Sequence, residues 1–368
     1  MVLTYENLLR FRDLKISSCV ALNSLNRFSF LSFQDALHYL IRSHRLIGKT
    51  ILVPSFYCDA TINDMHKHGL RVVRCKTDHD KFDVDYEDFL KKISSESPDV
   101  VLIYYYFGKS SVLLQRRSWL NHIKPTAVLI SDFAHSLLPH HRIEFLTERH
   151  LYIDSTRKTT SCMMAHLVMP SGLQVDTALV SRFSLFRYAI RILFALKSSC
   201  LRLATVTEME LFSKAGNYLY SLHDQLIGST AEAFAGFSWD SFVYRHIDFE
   251  RIRDHRLSLH KLYLANLADL SRAGHLKLFE VPAESAGTHC FFFVTISDAA
   301  KRALVLAILQ KHGYWSEALW NFDVQRDIDD SEREWAKSVI VLPYSTRTLP
   351  RHVEHMALLM KSCFHGIT

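Results

Sequence analysis

Five apolar runs between residues 28 and 170 constrain this chain more than any other feature. They read TILVPSFY, LRVVRCKT, DVVLIYYYFG, AVLISDFA and HLYIDST. Between them lie segments with helical spacing: FQDALHYLIRSH before the first run, then ATINDMHKHG closed by Gly69, DYEDFLKKISS and the short WLNHIKP. The runs are continuously apolar and do not alternate, so each strand must be covered on both faces. That requirement predicts an α/β fold with a mostly parallel central sheet.

Beyond this region the pattern changes. Residues 174–235 read as a helical insert with a basic, apolar stretch, RFSLFRYAIRILFALKSSCLRL. Arg187 and Arg191 stand four apart there, with Ile190, Leu193 and Phe194 toward another side. Such a helix could touch a membrane surface; packing on the core or on a second subunit is the commoner use. The segment HIDFERIRDHRLSLHKLYLANLADL predicts a long amphipathic helix at a domain junction. After it, HCFFFVTIS, DAAKRALVLAILQKHG, SVIVLPYS and LPRHVEHMALLMKSC alternate strand and helix. The expected division is a large α/β domain over 1–240, carrying the N-terminal segment and the insert, and a smaller α+β domain over 241–368. No Gly/Ser linker separates them.

Composition narrows the function classes. The chain has 368 residues, 48% hydrophobic and 22% charged, with a net charge of +6. Those values suit a globular protein and make no case for nucleic acid. Seven dispersed cysteines (Cys19, Cys58, Cys75, Cys162, Cys200, Cys290, Cys363) include no CxxC pair. An odd, scattered set reads as reduced thiols in a cytoplasmic protein, neither a disulfide frame nor a zinc centre, and no metal site is expected. MVLTYENLLRFRDLK is too charged for a secretory leader. No apolar run approaches the roughly 20 residues of a membrane span.

Polar residues punctuate the ends of the apolar runs. Ser32 and Gln34 open a helix, Tyr57 and Gly108 follow strands, and so do Asp132–His135 and Ser155–Lys158. Open α/β sheets bind ligands outside the carboxyl ends of their strands, so these groups can converge from distant positions. A carboxylate against a buried strand needs a partner, which makes Asp132 the residue to explain. Ordinary structural roles are also open. Asp132 could cap its turn, Lys158 could be a solvated lysine, and His135 could bond a backbone carbonyl. Tyr57 could be core, Ser32, Gln34 and Ser155 could be caps, and Arg347 could be exposed or at a dimer interface.

In their order these segments resemble the DegT/StrS-type sugar aminotransferases, within the fold-type-I pyridoxal-phosphate (PLP) enzymes. The resemblance runs from about residue 28 to the C-terminus. ILVPSFYCDATINDMHKHGLRVV is similar to the family's strand-turn-helix, DVDYEDFLKKI to its helix entry, and VLIYYYFG to its strand ending in glycine. VLISDFAHSLL matches D-x-A-(H/Q), and DSTRKTT matches the lysine motif. HIDFERIRDHRLSLHKLYLANL, ALVLAILQKHGYWSEALW and VIVLPYSTRTLPRHVEHMALLMKS resemble its hinge helix and small domain.

The resemblance implies a three-layer sandwich with a smaller C-terminal α+β domain, PLP as cofactor, and a homodimer. It implies Lys158 as the amine forming a Schiff base with PLP and shuttling the α-proton, and Asp132 as the acid holding the ring nitrogen protonated. It further implies His135 near the phenolic oxygen, Tyr57 on the ring face, and Ser32, Gln34 and Ser155 around the phosphate. Arg347 would reach an anionic group. The expected reaction carries an amino group from a small-molecule amino donor such as glutamate to a nucleotide-linked keto-sugar acceptor. Three departures stand out: Phe33 where the family has glycine, TTSCMMAHLVM where it is glycine-rich, and Leu257–Ser258 after Arg256. With only 11 glycines in the chain, they keep two alternatives open. One is other PLP chemistry (dehydration, aldol cleavage, acyl transfer), and the other is a cofactor-free binding or scaffold protein.

Overall fold

The structure is a computed structural model that describes residues 13–15, 26–137, 143–160, 162–207, 209–230, 232–279, 281–282, 285, 287–320 and 328–365. Most of the stretch read as lacking a secretory leader lies outside them. Strand β1 (Asn26–Phe30) turns at Ser32 into α1 (Phe33–Ser43), and β2 (Thr50–Pro54), α2 (Asp59–Lys67) and β3 (Arg71–Cys75) follow. A hairpin of β4 (Thr77–Asp78) and β5 (Asp83–Val84) precedes α3 (Tyr86–Glu96). The Asp85 carboxylate caps that helix by accepting from the Glu87 and Asp88 amides. Then come β6 (Val100–Tyr104), the one-turn α4 (Val112–Gln115), β7 (Val128–Phe133), β8 (His150–Asp154), the one-turn α5 (Thr156–Thr159) and β9 (Ala165–Met169). WLNHIKP is less than a full α-helix: residues Arg117–His122 form a 3-10 turn.

The seven-stranded sheet runs in the order β1-β9-β8-β7-β6-β2-β3. Strands β3, β2, β6, β7 and β8 are parallel, whereas β9 is antiparallel to both β8 and β1. Every residue of β2, β6, β7, β8 and β9 is buried, as unbroken apolar runs require. Gly108, after β6, adopts φ +82, and a Cβ there would collide with the Thr288 hydroxyl. This glycine carries both a left-handed turn and a close approach.

The 174–235 insert is more than helix. Short β10 (Val180–Ser181) and β11 (Ala233–Phe234) pair in parallel around α6 (Leu185–Thr207) and α7 (Glu210–Leu226). Helices α8 (Ser238–Arg245) and α9 (Phe249–Arg272) follow. Arg187 and Arg191 of α6 turn inward, while Arg202 is exposed. Arg187 donates to the Ala235 carbonyl at 2.7 Å, and Arg191 pairs with Asp240 at 2.7 Å. The solvent face of α6 is instead apolar, with Leu185 90% and Ile192 59% exposed. Arg187 and Arg191 therefore do not form a basic outer face on α6, because both are engaged by the chain itself.

The remaining elements are β12 (Lys277–Leu278), β13 (Phe292–Thr295), α10 (Ala299–Lys311), β14 (Glu317–Ala318), α11 (Asp330–Ser338), β15 (Val339–Leu342) and α12 (Pro350–His365). They build an antiparallel sheet ordered β12-β13-β15-β14. Leu259 and Tyr263 of α9, Val305 of α10 and Met356 of α12 share its core. Helical spacing explains α9, which buries Ile252, Arg256, Leu259, Tyr263, Leu267 and Leu270 on one face. Aromatic packing joins the two sheets: Phe82 meets Phe279 at 4.3 Å and Phe107 meets Phe293 at 3.9 Å between centroids.

Candidate functional site

The parallel strands bring their carboxyl ends to one edge, and a cavity of about 110 Å³ opens there. Tyr104 ends β6 and is the register partner of Asp132 on β7. Tyr57 lies just past β2, while Ser155 follows β8 and starts the turn that carries Lys158. Of the residues singled out from sequence, Gln34, Tyr57, Asp132, His135, Ser155 and Lys158 all line this cavity. The separation of Asp132 and Lys158 is bridged by strand pairing, since β7 and β8 are neighbours.

Ser32 and Arg347 are not among the lining residues. The Ser32 hydroxyl accepts from the Asp35 amide at 3.2 Å and donates to the Asp35 carboxylate, so it is engaged in capping α1. Gln34 reaches the cavity in its place, and its side-chain carbonyl oxygen is buried without a hydrogen-bond partner among the described residues.

Asp132 is 2% exposed, and its partners among the described residues are neutral donors. The Tyr57 hydroxyl donates to Oδ2 at 2.5 Å and the Ala134 amide to Oδ1 at 2.7 Å. Burial pushes the carboxyl up to about 7, and the two donors only partly offset it. The same burial, with Asp132 alongside, drives the Tyr57 phenol well above 10. Tyr57 thus meets the acid through its hydroxyl, and its ring stands edge-on to Tyr104 at 5.2 Å.

His135 pairs through Nδ1 with the Tyr104 hydroxyl at 2.5 Å. Burial, then the charges of Lys158 and Arg157, hold its imidazole well below 6.5, so it is neutral. Lys158 itself lies within electrostatic reach of His135, Cys290, Asp224 and Glu317.

Several lining residues escaped sequence reasoning. Arg157 pairs with Asp224 at 3.2 Å. Burial alone would raise the Asp224 carboxyl, but Arg157, helped by His223 and Lys158, holds it well below the carboxylate range. Trp320 spreads over the cavity, 6.0 Å from His135 and 4.6 Å from Phe56 between ring centroids. Tyr104 obeys the strand-end rule and was within reach of sequence reading. Asp224 on α7 and Trp320 beside β14 come from other layers and carry no local signal.

No family model matches the chain, and no curated protein matches it either. Solved structures do. The Streptococcus pneumoniae protein Spr1654, named as a sugar aminotransferase and solved in its PMP form, superposes with a TM-score of 0.64 at 14% identity, covering 93% of this chain and 88% of its own. DesI, solved in the presence of its TDP-sugar product, matches with a TM-score of 0.63 at 17% identity over 92% of this chain and 81% of its own. A DegT/DnrJ/EryC1/StrS aminotransferase from Brucella abortus matches with a TM-score of 0.61 at 15% identity over 92% and 86%. Over nearly its whole length, this chain has the fold of the DegT/StrS-type aminotransferases.

Proposed function

We propose that the chain is a PLP-dependent aminotransferase that moves an amino group from an amino acid to a keto sugar, nucleotide-linked. One observation carries the reading: Lys158 and Asp132, from successive strand ends, line the same cavity. The donor set fits the cofactor. Asp132 is a buried acid whose described partners are all neutral, and a protonated ring nitrogen would supply the cation it lacks. Arg157, Ser155 and Gln34, with the first amides of α1, would hold the phosphate. The cavity of about 110 Å³ is smaller than the ~300 Å³ lower bound for a typical ligand pocket. Seating the cofactor would therefore require the lining side chains to move apart.

When bound, PLP supplies an aldehyde and a ring that draws electrons from the amino-acid α-carbon. Lys158 then provides the amine that takes and returns the α-proton. Asp132 keeps positive charge on the ring nitrogen, and neutral His135 offers a hydrogen-bonding edge without competing charge. Trp320, which lines the cavity, would help to keep water from the bound cofactor. The keto-sugar acceptor is supported by structural likeness to DesI, whose structure was solved in the presence of a TDP-sugar product. A homodimer belongs to the same reading, supported by the exposed apolar face of α6. A cytoplasmic location is supported by six described cysteines, all free thiols. Among the described residues, no helix is long and apolar enough to cross a membrane.

The test is spectral. Adding PLP to the parent should give a visible band that borohydride abolishes, and Lys158→Ala should give none. Conversion to the pyridoxamine form with an amino-acid donor identifies transamination; a band that persists unchanged in the variant refutes the assignment. A parent that stays colourless favours the cofactor-free alternative.

A further inference from the structure

One helical turn behind the cavity wall, α1 and α2 bring three potential metal ligands together. His38 is four residues after Gln34, and Asp64 is three after Thr61; both Gln34 and Thr61 line the cavity. The two oxygens of Asp64 each face an imidazole. Oδ2 lies 2.7 Å from His38 Nε2, and Oδ1 lies 3.5 Å from His68 Nε2. One ligand atom from each of the three side chains falls within 4.8 Å of the others. His38 and Asp64 are buried, whereas His68 keeps 13% of its side chain open to solvent.

An ion pair between His38 and Asp64 leaves the third member, His68, unmet. His38 has acceptors at both ring nitrogens, the Glu232 carbonyl at Nδ1 (3.4 Å) and Asp64 at Nε2. With Nδ1–H donating to the carbonyl, Nε2 is the nitrogen left to meet Asp64, either through a second N–H or as a ligand to a cation shared with the carboxylate. His68 Nε2 is buried without a hydrogen-bond partner among the described residues, because 3.5 Å is too long for one. Gly228 backs the cluster: a Cβ there would stand 3.5 Å from Asp64 Oδ1 and 3.2 Å from Gln34 Cγ.

We propose that His38, Asp64 and His68 bind a divalent first-row transition ion of the zinc class, which pins α1 to α2 behind the cavity. Two imidazoles and one carboxylate suit such an ion, whereas calcium and magnesium prefer all-oxygen shells. Tetrahedral ligands at zinc distances sit about 3.3 Å apart. The His38–Asp64 contact would open slightly to admit the ion, and His68 is close to that spacing already. His68 keeps 13% of its side chain open to solvent, so water could reach the cluster and complete the shell. This site departs from the sequence-based expectation of no metal, because its ligands sit on two helices and form no compact motif.

The full-length chain, stripped with chelator and reloaded with Zn²⁺ or Co²⁺, tests it. The parent should retain one ion per chain by plasma mass spectrometry, show visible cobalt bands without thiolate charge transfer, and melt at a higher temperature with Zn²⁺. Asp64→Asn keeps the shape of the contact with His38, and His68→Ala alters a partly exposed residue, so both should keep the parent's circular dichroism. Each should weaken binding by at least about tenfold, the cost of disturbing even an outer partner, and lose the thermal gain. The proposal is overturned if the parent retains no ion, if both variants retain it equally, or if cobalt reports a cysteine ligand.

Discussion

Asp132→Asn should stabilise the ligand-free chain at alkaline pH while crippling it as a cofactor protein. Burial raises the Asp132 carboxyl from 3.8 to about 7. A raised carboxyl favours the folded state fully only below the unfolded value, and that advantage is lost as pH rises through the folded value. Relative to the fully protonated state, the lost stability is about 2 kcal/mol at pH 5 and about 4 kcal/mol at pH 8. Asparagine never ionises and its carbonyl still accepts from Tyr57, so it escapes this loss; its amide then faces the Ala134 N–H, a cost that is the same at every pH. The variant's stability relative to the parent should therefore rise by about 2–3 kcal/mol between pH 5 and pH 8. Denaturant midpoints of both proteins at the two pH values, without PLP, read this difference of differences. With PLP added at pH 8 the ranking should invert, because asparagine gives the ring nitrogen no charge. An advantage equal at both pH values would mean that the buried acid is not ionising, and the argument for an unmet cation at Asp132 would fail.

Other outcomes follow from single contacts. Trp320→Ala should enlarge the cavity and speed PLP association, read by stopped-flow absorbance; an unchanged rate would show that the indole does not obstruct entry. Gly108→Ala should lose about 1–3 kcal/mol in chemical denaturation, from a positive φ and the collision with Thr288, whereas Gly48→Ala should lose less because its φ is also positive but nothing lies within 4 Å of a Cβ there.

Much of the site was readable because strand ends are local events. A buried parallel strand must end in a polar turn at the sheet edge, so Tyr57, Asp132 and Ser155 announced themselves by position. Lys158 and Gln34 came with those turns. Ser32 shows the limit of that logic: a hydroxyl at a helix start suits a phosphate or a cap equally, and only the placement of Asp35 beside it decides for the cap. Tyr57 shows another limit. Its position was legible, but whether its ring or its hydroxyl meets the site depends on the reach to Asp132 across the β6 strand end.

Periodicity and apolar continuity in the sequence determined the layered α/β architecture and the main strands and helices, because both depend on neighbours a few residues apart. Tertiary structure alone decided that Arg187 and Arg191 of α6 are bound internally, that Trp320 and Asp224 enter the cavity, and that His38 meets Asp64 and His68. Those outcomes depend on how whole layers pack. Packing energies are summed over many distant contacts, and no short stretch of chain records that sum.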